Sequence, residues 1–285
     1  MLNNKLSFLF IIFLLLLKTI SSLEKLKIMT YNIHFGNSID NIYNIKEIGR
    51  IIKDSKAEVI CLQEVDVNWG SRSLYENTIQ RLSYITGLNY FYAPIYNKPS
   101  HRSAEYPNEQ FGVGILSKYE ILHQSNYNLS RWSTQSEDPQ PGDPDFPPKK
   151  GGFGNIIISV NGKKISIYNT HLDFRETPPP EYFRSIREIQ VNEMLEIIDF
   201  ENYPTILMGD MNADTTSKEV FSPLFNYFND AWELGNTTSG YSFPSDNPVR
   251  RIDYILTTRD IFIKKSYLLN TTASDHLPVI ADISF

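Results

Sequence analysis

Short apolar segments recur along the chain after residue 22, and this recurrence constrains the fold more than any other feature. The segments are rich in Ile, Val, Tyr and Phe, and several are apolar almost throughout, which is typical of strands buried on both faces. They are LKIMTYNI, EVICLQEV, NYFYAPIY, FGVGILS, NIIISV, KISIYNT, TILMGD, IDYIL, IFIKKSYLL and LPVIADI.

Three amphipathic patterns between these segments predict helices, because their apolar residues recur at helical spacing. They are Ile42-Ile45-Ile48-Ile52, Leu74-Ile79-Leu82-Ile85 and Ile186-Ile189-Leu195-Ile198. Strands that alternate with helices indicate a layered α/β fold, and the length fits one large domain from about residue 26 to residue 285.

Residues 1–22 are typical of a secretory signal peptide: Lys5 precedes an apolar run from Leu6 to Leu17, and small polar residues follow. The run is short for a membrane span, although a retained signal anchor is the alternative because Lys18 follows the run. We therefore expect a secreted protein or one of the endoplasmic reticulum lumen. Three N-x-S/T sequons suit such a chain, at Asn128, Asn236 and Asn270.

The formal net charge of −6 argues against a protein that binds nucleic acid nonspecifically, since such binding relies on lysine and arginine. It does not exclude a nuclease, because a bound metal ion supplies positive charge locally. Cys61 is the only cysteine, so no intrachain disulfide can form.

The composition changes between residues 131 and 154, where prolines, glycines and charges separate two strand segments. This predicts a long loop that is too polar and proline-rich to belong to the core. The loop is either a disordered insertion that does not hold the fold, or an ordered wall of a substrate cleft that includes Trp132, Phe146 and Phe153.

Side chains that can bind a metal or transfer a proton lie at the ends of the apolar segments. Such ends form the rim where open α/β sheets bind ligands. One such residue alone is more often a turn or cap residue, so the argument rests on the set. The set is Asn32, His34, Glu64, His171, Asp173, Asp210, Asn212, Asp253, Asp275 and His276.

The blocks T-Y-N-I-H-F-G, N-W-G-S-R-S, N-T-H-L-D, P-S-D-N-P-V-R-R-I-D-Y-I and A-S-D-H-L-P-V resemble those of the endonuclease/exonuclease/phosphatase superfamily, the metal-dependent phosphoesterases related to deoxyribonuclease I. They are similar to small stand-alone microbial hydrolases, and to a C-terminal module of proteins linked to remodelling of glycosylphosphatidylinositol lipids. The resemblance implies a four-layer sandwich, in which two mixed β-sheets pack face to face with helices outside and the active site lies at one edge.

The resemblance also implies a metal site. Glu64 is expected to be the principal carboxylate ligand, with Asn32 and Asp275 close to the ion. His34 stands where related abasic-site endonucleases have a metal-binding aspartate, so its role is open. Oxygen ligands suit Mg²⁺ or Mn²⁺. Zinc is the alternative, but no H-E-x-x-H motif or cysteine cluster supports it.

The catalytic roles implied by the resemblance fall on five residues. Asp210 and Asn212 should position the attacking water and the phosphate. His171 and His276 should contact the scissile phosphate, with His276 oriented by Asp253. An imidazole beside a carboxylate has a raised pKa and can act as a cation near neutral pH, so these roles are chemically reasonable.

Substrate-binding candidates lie outside these blocks or beside them. Arg72, Arg250 and Arg251 can bind a second phosphate or a head group, or can form surface salt bridges instead. Trp69 either lines the cleft or packs beneath its own loop. Inositol polyphosphate 5-phosphatases carry W-x-G-D-x-N-x-R and C-D-R blocks, which LMGDMNAD and RRIDYIL do not match.

The sequence thus predicts a divalent-metal-dependent phosphodiesterase that acts on a lipid head group at a membrane surface or on another small phosphodiester, and we expect it to be a monomer. The alternative is a secreted nuclease of the deoxyribonuclease I type. A third hypothesis is a non-catalytic protein that binds phosphorylated ligands.

Overall fold

The computed structural model describes residues 23–132, 135–136, 138–175 and 185–285, and the proposed signal peptide lies outside them. Two six-stranded mixed sheets form the centre of the fold. The strands are β1 (Lys25–Asn32), β2 (Val59–Val67), β3 (Asn89–Lys98), β4 (Glu109–Ser117), β5 (Ile121–Ser130), β6 (Lys149–Val160), β7 (Lys163–His171), β8 (Thr205–Asp210), β9 (Asn229–Asp230), β10 (Asp253–Thr257), β11 (Phe262–Leu268) and β12 (Val279–Ser284).

The first sheet has the strand order β11-β12-β1-β2-β4-β3, and the second has the order β5-β6-β7-β8-β10-β9. Each sheet contains one parallel pair, β1 with β2 and β7 with β8, among antiparallel neighbours. The parallel pairs place the ends of consecutive strands at the same edge. The mixed two-sheet α/β fold predicted from the sequence is confirmed.

Five α-helices lie in the described residues: α1 (Ile45–Ser55), α2 (Thr78–Thr86), α3 (Ile186–Ile197), α4 (Lys218–Phe225) and α5 (Ala231–Gly235). The first two patterns in the sequence place their helices a few residues too early. The side chains of Asn44 and Asn77 accept hydrogen bonds from the amides of Glu47 and Gln80, so the helices begin after these caps. None of the helices among the described residues is both long and apolar enough to cross a bilayer.

Three apolar clusters define the layers. The central cluster lies between the sheets and contains residues such as Ile28, Cys61, Ile167 and Met208. A second joins the outer face of the first sheet to α1 and α2, and a third joins the second sheet to α3 and α4. Strands with helices or a sheet on both faces are buried throughout, which explains their nearly continuous apolar sequences.

The segment after β5 is partly packed, so the prediction that all of it lies outside the core is wrong. Trp132 and Phe146 are buried and pack with Ile186 at the start of α3. The loop is also shorter than predicted, because β6 begins at Lys149 and Phe153 is a buried residue of that strand. Aromatic side chains near the two ends of a polar loop fold its ends back onto the protein.

The three sequons differ in their surroundings. Asn128 and Asn270 are exposed, as a glycosylated asparagine must be. The Nδ2 of Asn236 donates to the carbonyl of Ser266 at 2.7 Å, and its Oδ1 accepts the amide of Thr237. These bonds occupy the amide that would carry a sugar.

Candidate active site

Glu64 lies at an irregularity of β2. The register of β2 with β4 shifts between Leu62 and Val65, and Glu64 has a left-handed backbone with φ of 55°. Such a conformation is costly for a residue with a side chain and is concentrated at functional sites. The bulge interrupts the alternation of β2, which lets a carboxylate emerge from an otherwise buried strand.

Asn32, the last residue of β1, joins carboxylates from the two sheets. Its Nδ2 donates to Glu64 Oε1 and to Asp210 Oδ2, both at 3.1 Å. Its Oδ1 accepts the amide of His34 at 3.1 Å. Because Asn32 is fully buried, its amide holds the two carboxylates at a fixed separation across the interface between the sheets.

Three predicted residues lie side by side on neighbouring strands of the second sheet. His171 ends β7 and pairs in register with Asp210 at the end of β8, which pairs with Asp253 at the start of β10. Gly209 allows this close spacing, since a Cβ at that position would lie 2.1 Å from the carbonyl oxygen of Thr170. The motif G-D-M-N therefore needs its glycine for packing between strands.

His276 and Asp253 form a buried pair. His276 Nδ1 lies 2.8 Å from Asp253 Oδ2, and the Ser242 hydroxyl donates to the same oxygen at 2.6 Å. Burial favours the neutral imidazole, but the charge and hydrogen bond of Asp253 outweigh it and raise the pKa of His276 to about 10. His276 is therefore a cation at neutral pH, with Nε2 3.8 Å from Asp210 Oδ2.

His171 approaches Asp210 from the other side, with Nε2 3.6 Å from Asp210 Oδ2. Burial lowers the pKa of His171, so this imidazole is neutral where His276 is charged. Asn212, with a left-handed backbone, donates its amide N–H to Asp210 Oδ1 and its Nδ2 to the carbonyl of Leu172. These contacts fix Asp210 between two imidazoles of different charge.

The loop before β12 carries Asp275 to the same edge. The Ser274 hydroxyl donates to the carbonyl of Asn32 at 2.7 Å and accepts the amide of His276 at 3.2 Å, which fastens this loop to the end of β1. Asp275 Oδ1 lies 3.9 Å from His34 Nδ1, a buried atom without a hydrogen bond. The four predicted metal residues and the five predicted catalytic residues therefore share one edge of the sandwich.

The carboxylates at this edge fit a divalent cation. Burial raises the pKa of Glu64 to about 7, and the charges of Asp275 and Asp210 act in the same direction, against the hydrogen bond from Asn32. Concentrated negative charge of this kind would be offset by Mg²⁺ or Mn²⁺, which prefer oxygen ligands. Glu64 and Asp275 would hold the ion, which when bound would neutralise phosphate charge and polarise the phosphorus.

The protein groups themselves supply acid–base chemistry. Asp210, which lies 3.6 Å from His171 Nε2 and 3.8 Å from His276 Nε2, would be placed to accept a proton from an attacking water. The cationic His276 can stabilise negative charge on phosphate oxygens, while Asp253 keeps it protonated and oriented. Neutral His171 offers a single ring N–H as a further donor.

A cavity of about 390 Å³ adjoins this edge and includes Glu64 and His171 in its lining. Trp69 lines it, which favours the cleft role over packing beneath the loop. Arg72 also lines it, but its Nε and NH2 bind Asp66 at 2.9 and 2.8 Å, so part of its hydrogen-bonding capacity is used within the protein.

Arg251 does not reach the cavity. It is buried, with NH1 2.7 Å from Glu233 Oε1, and its NH2 binds Asp230. These ion pairs favour a structural role over the predicted role in binding substrate. The two acids belong to β9 and α5. The position of Arg251 next to a strand does not indicate in the sequence that these acids will pair with it.

Arg131 lines the cavity but is not among the site residues predicted from the sequence. It follows β5, is 4% exposed, and donates from NH2 to the carbonyl of His171 at 3.0 Å. Aromatic residues Phe35, Tyr96 and Phe111 also line the cavity. The sequence contains little signal for it, because the preceding strand β5 was not predicted and Arg131 begins a segment with the composition of a polar loop.

Comparison with known proteins supports the resemblance. A protein of Escherichia coli strain K12, the uncharacterized protein YbhP, is 24% identical over 269 residues, covering 90% of this chain and 95% of YbhP. Sphingomyelinase C 1 of Leptospira interrogans is 26% identical over 170 residues, covering 54% of this chain and 26% of that protein. The crystal structure of an endonuclease/exonuclease/phosphatase from Beutenbergia cavernae has a TM-score of 0.70 at 19% identity, covering 92% of this chain and 72% of that one.

The model of the Endonuclease/Exonuclease/phosphatase family matches residues 29–276, which include every candidate metal and catalytic residue described above. This match spans both sheets and the edge where the site lies. The chain therefore belongs to the Endonuclease/Exonuclease/phosphatase family, a family of phosphoester hydrolases.

Proposed function

We propose that this protein is a Mg²⁺- or Mn²⁺-dependent phosphodiesterase that acts on a lipid head group or another small phosphodiester. One observation carries the proposal. Asn32 donates hydrogen bonds to both Asp210 and Glu64, so that Asp210 and the nearby His276–Asp253 pair lie opposite Glu64. Groups for proton transfer and for charge stabilisation thus stand opposite a carboxylate suited to a metal.

The nature of the substrate is supported by charge and by shape. The acidic chain is poorly suited to binding a long polyanion such as nucleic acid. A walled cavity accommodates a compact group better than it accommodates a duplex. Similarity to a protein named sphingomyelinase is in keeping with a lipid substrate at a membrane surface. A secreted nuclease is the competing function.

Hydrolysis of bis(p-nitrophenyl) phosphate tests the reaction type. We expect turnover with Mg²⁺ or Mn²⁺, complete loss in EDTA and recovery when the metal is restored. Glu64→Gln should be inactive, whereas Glu196→Gln, an exposed glutamate on α3, should match the wild type. Full activity in chelator, or in Glu64→Gln, would overturn the proposal.

Substrate competition tests the class. Lipid head groups should be released from micelles at rates above those of plasmid nicking in the same buffer. A nuclease would instead nick plasmid at low salt and lose that activity steeply as salt rises. Dominant plasmid nicking would replace the lipid proposal with the nuclease.

We also propose export to the secretory pathway, on the basis of the Lys5-to-Leu17 segment and the exposed sequons at Asn128 and Asn270. N-terminal sequencing of natively expressed protein should begin near Ser22 or Leu23. A cytosolic product that still starts at Met1 would reject this.

A further inference from the structure

We infer that the cavity beside the catalytic edge binds the head group of the substrate, and that this head group is anionic and presents a flat face, as a phosphorylated sugar or cyclitol does. The inference rests on the proposed phosphodiesterase activity and adds the chemistry of the group attached to the scissile phosphate. Glu64 and His171 belong both to the candidate active site and to the cavity lining. A substrate whose phosphate lies at the site would therefore place its attached head group in the cavity.

Arg131 supplies the charge for this selectivity. Its NH2 is held by the carbonyl of His171, while its buried Nε has no hydrogen-bond partner. No carboxylate among the described residues forms an ion pair with it. Burial of this cation is costly, and the charge of Asp173, which lines the same cavity, offsets the cost only in part; an anionic ligand would offset more of it.

The surroundings of Arg131 are shaped to keep its guanidinium at the cavity. Gly152, with φ of 94°, lies against it: a Cβ there would contact Arg131 NH2 at 3.4 Å and would clash with the side chain of Ile95 at 2.1 Å. The amide of Arg131 donates to the carbonyl of Pro148 at 3.0 Å, which fixes the backbone. The arginine is therefore held in place before any ligand arrives, which lowers the entropy cost of binding.

Three aromatic rings form a wall on one side of the cavity. The ring centroid of Trp69 lies 5.9 Å from that of Phe111 and 6.2 Å from that of Tyr96, and Tyr96 stacks on Phe111 at 6.2 Å. Rigid aromatic faces give a large apolar contact at low entropy cost and complement the C–H face of a sugar or cyclitol ring.

The same rings are unsuited to a quaternary ammonium group such as choline. Recognition of that cation requires aromatic faces without competing positive charge. Here the Arg72 guanidinium lies 3.5 Å from the centroid of Phe35, and Lys98 Nζ lies 4.8 Å from that of Trp69. Arg131 and Arg175 add two cations to the cavity lining, against the carboxylates of Glu64 and Asp173. Because Glu64 would be taken up by the bound metal ion, the remaining charge at the cavity disfavours a positively charged head group.

The test compares three soluble diesters that differ in head group. Glycerophosphoinositol 4-phosphate has an anionic ring, glycerophosphoglycerol has an uncharged head group, and glycerophosphocholine has a cationic one. With purified protein and Mg²⁺, we expect kcat/KM to fall in that order, with at least about a hundredfold between the first and the last, as two or more charge contacts would give.

Variants locate the selectivity. Arg131→Gln should reduce the ratio of kcat/KM for the anionic over the uncharged substrate at least tenfold, and Arg131→Lys should restore part of it. This ratio does not depend on the amount of active enzyme, so partial unfolding cannot mimic the result. Trp69→Ala should reduce the preference for the ring independently of Arg131. Arg102→Gln is the matched control, because Arg102 stacks on Tyr75 and Tyr106 and does not line the cavity.

The outcomes separate two failures. If bis(p-nitrophenyl) phosphate is not hydrolysed, the proposed function fails. If it is hydrolysed but glycerophosphocholine is as good a substrate as the anionic diester, or if Arg131→Gln leaves the ratio unchanged, the head-group inference fails and the reaction type stands.

Discussion

Replacing Asp253 by asparagine tests the physical origin of the charge on His276. Burial alone would keep this imidazole neutral, and the adjacent Asp253 carboxylate is the main group that raises its pKa to about 10. Asparagine keeps nearly the same size but removes the charge. The pKa of His276 should then fall to near or below its ordinary value of about 6.5.

The expected size of the effect depends on pH. A group with a pKa of about 6.5 is protonated in roughly 3% of molecules at pH 8 and in most molecules at pH 6. If the reaction uses the imidazolium, kcat/KM of Asp253→Asn should fall about 25-fold more than that of the wild type between pH 6 and pH 8, in proportion to the protonated fraction. The wild-type imidazole stays charged over that range.

Two measurements check this. NMR titration of His276 in metal-free protein reports its pKa directly, and pH profiles of kcat/KM report its use in the reaction. Asp282→Asn is the control, since that aspartate on β12 pairs with Lys27 on β1 at 3.2 Å, where both side chains are partly exposed. Parallel pH profiles for wild type and Asp253→Asn would refute the reasoning.

Other substitutions and conditions test the remaining assignments. Asp210→Asn and His276→Ala should each lower kcat at least about a hundredfold in steady-state kinetics, because both groups act in the transition state. The melting temperature of Asp210→Asn should be unchanged or slightly raised, whereas that of His276→Ala should fall, because the buried Asp253 carboxylate loses its imidazole partner. The metal affinity of the metal-free protein, measured by calorimetry from pH 6 to pH 8, should rise up to about pH 7 and then level off. The reason is that a proton on Glu64 competes with the cation; a pH-independent affinity would contradict this. Trp132→Ala should lower the free energy of unfolding in urea by about 3–5 kcal/mol, whereas Tyr84→Ala, at a highly exposed position, should change it by less than about 0.5 kcal/mol. Equal effects would mean that the loop after β5 is not packed.

The strands and the main helices were predictable because burial requires apolar residues, in nearly continuous runs for strands buried on both faces and at helical spacing for helices buried on one face. Each of the ten apolar segments overlaps a strand; LKIMTYNI, for example, covers β1 except for its first residue and ends one residue beyond it. β5 was missed because it is an edge strand, exposed along most of its length, so its sequence ILHQSNYNLS lacks an apolar face. α4 was missed because it is short and contains Pro223.

The convergence of the site residues was predictable in outline, because parallel strands end at one edge. The fine geometry was not. The bulge that gives Glu64 its backbone conformation depends on pairing with β4. The different surroundings of Arg131 and Arg251 likewise depend on contacts between distant segments, and two arginines at strand ends look alike until their acidic partners are known.

The pairing of β1 with β12 affects how the protein is made. β1 is the first strand of the described residues, yet its antiparallel neighbour β12 is the last. Contacts between segments so far apart in sequence form slowly, since a long loop must close first. Asp275 and His276 lie just before β12, so the emerging polypeptide can fold much of the second sheet while it still lacks two residues of the active site. The candidate site is therefore complete only after β12 has been synthesised and has inserted between β11 and β1.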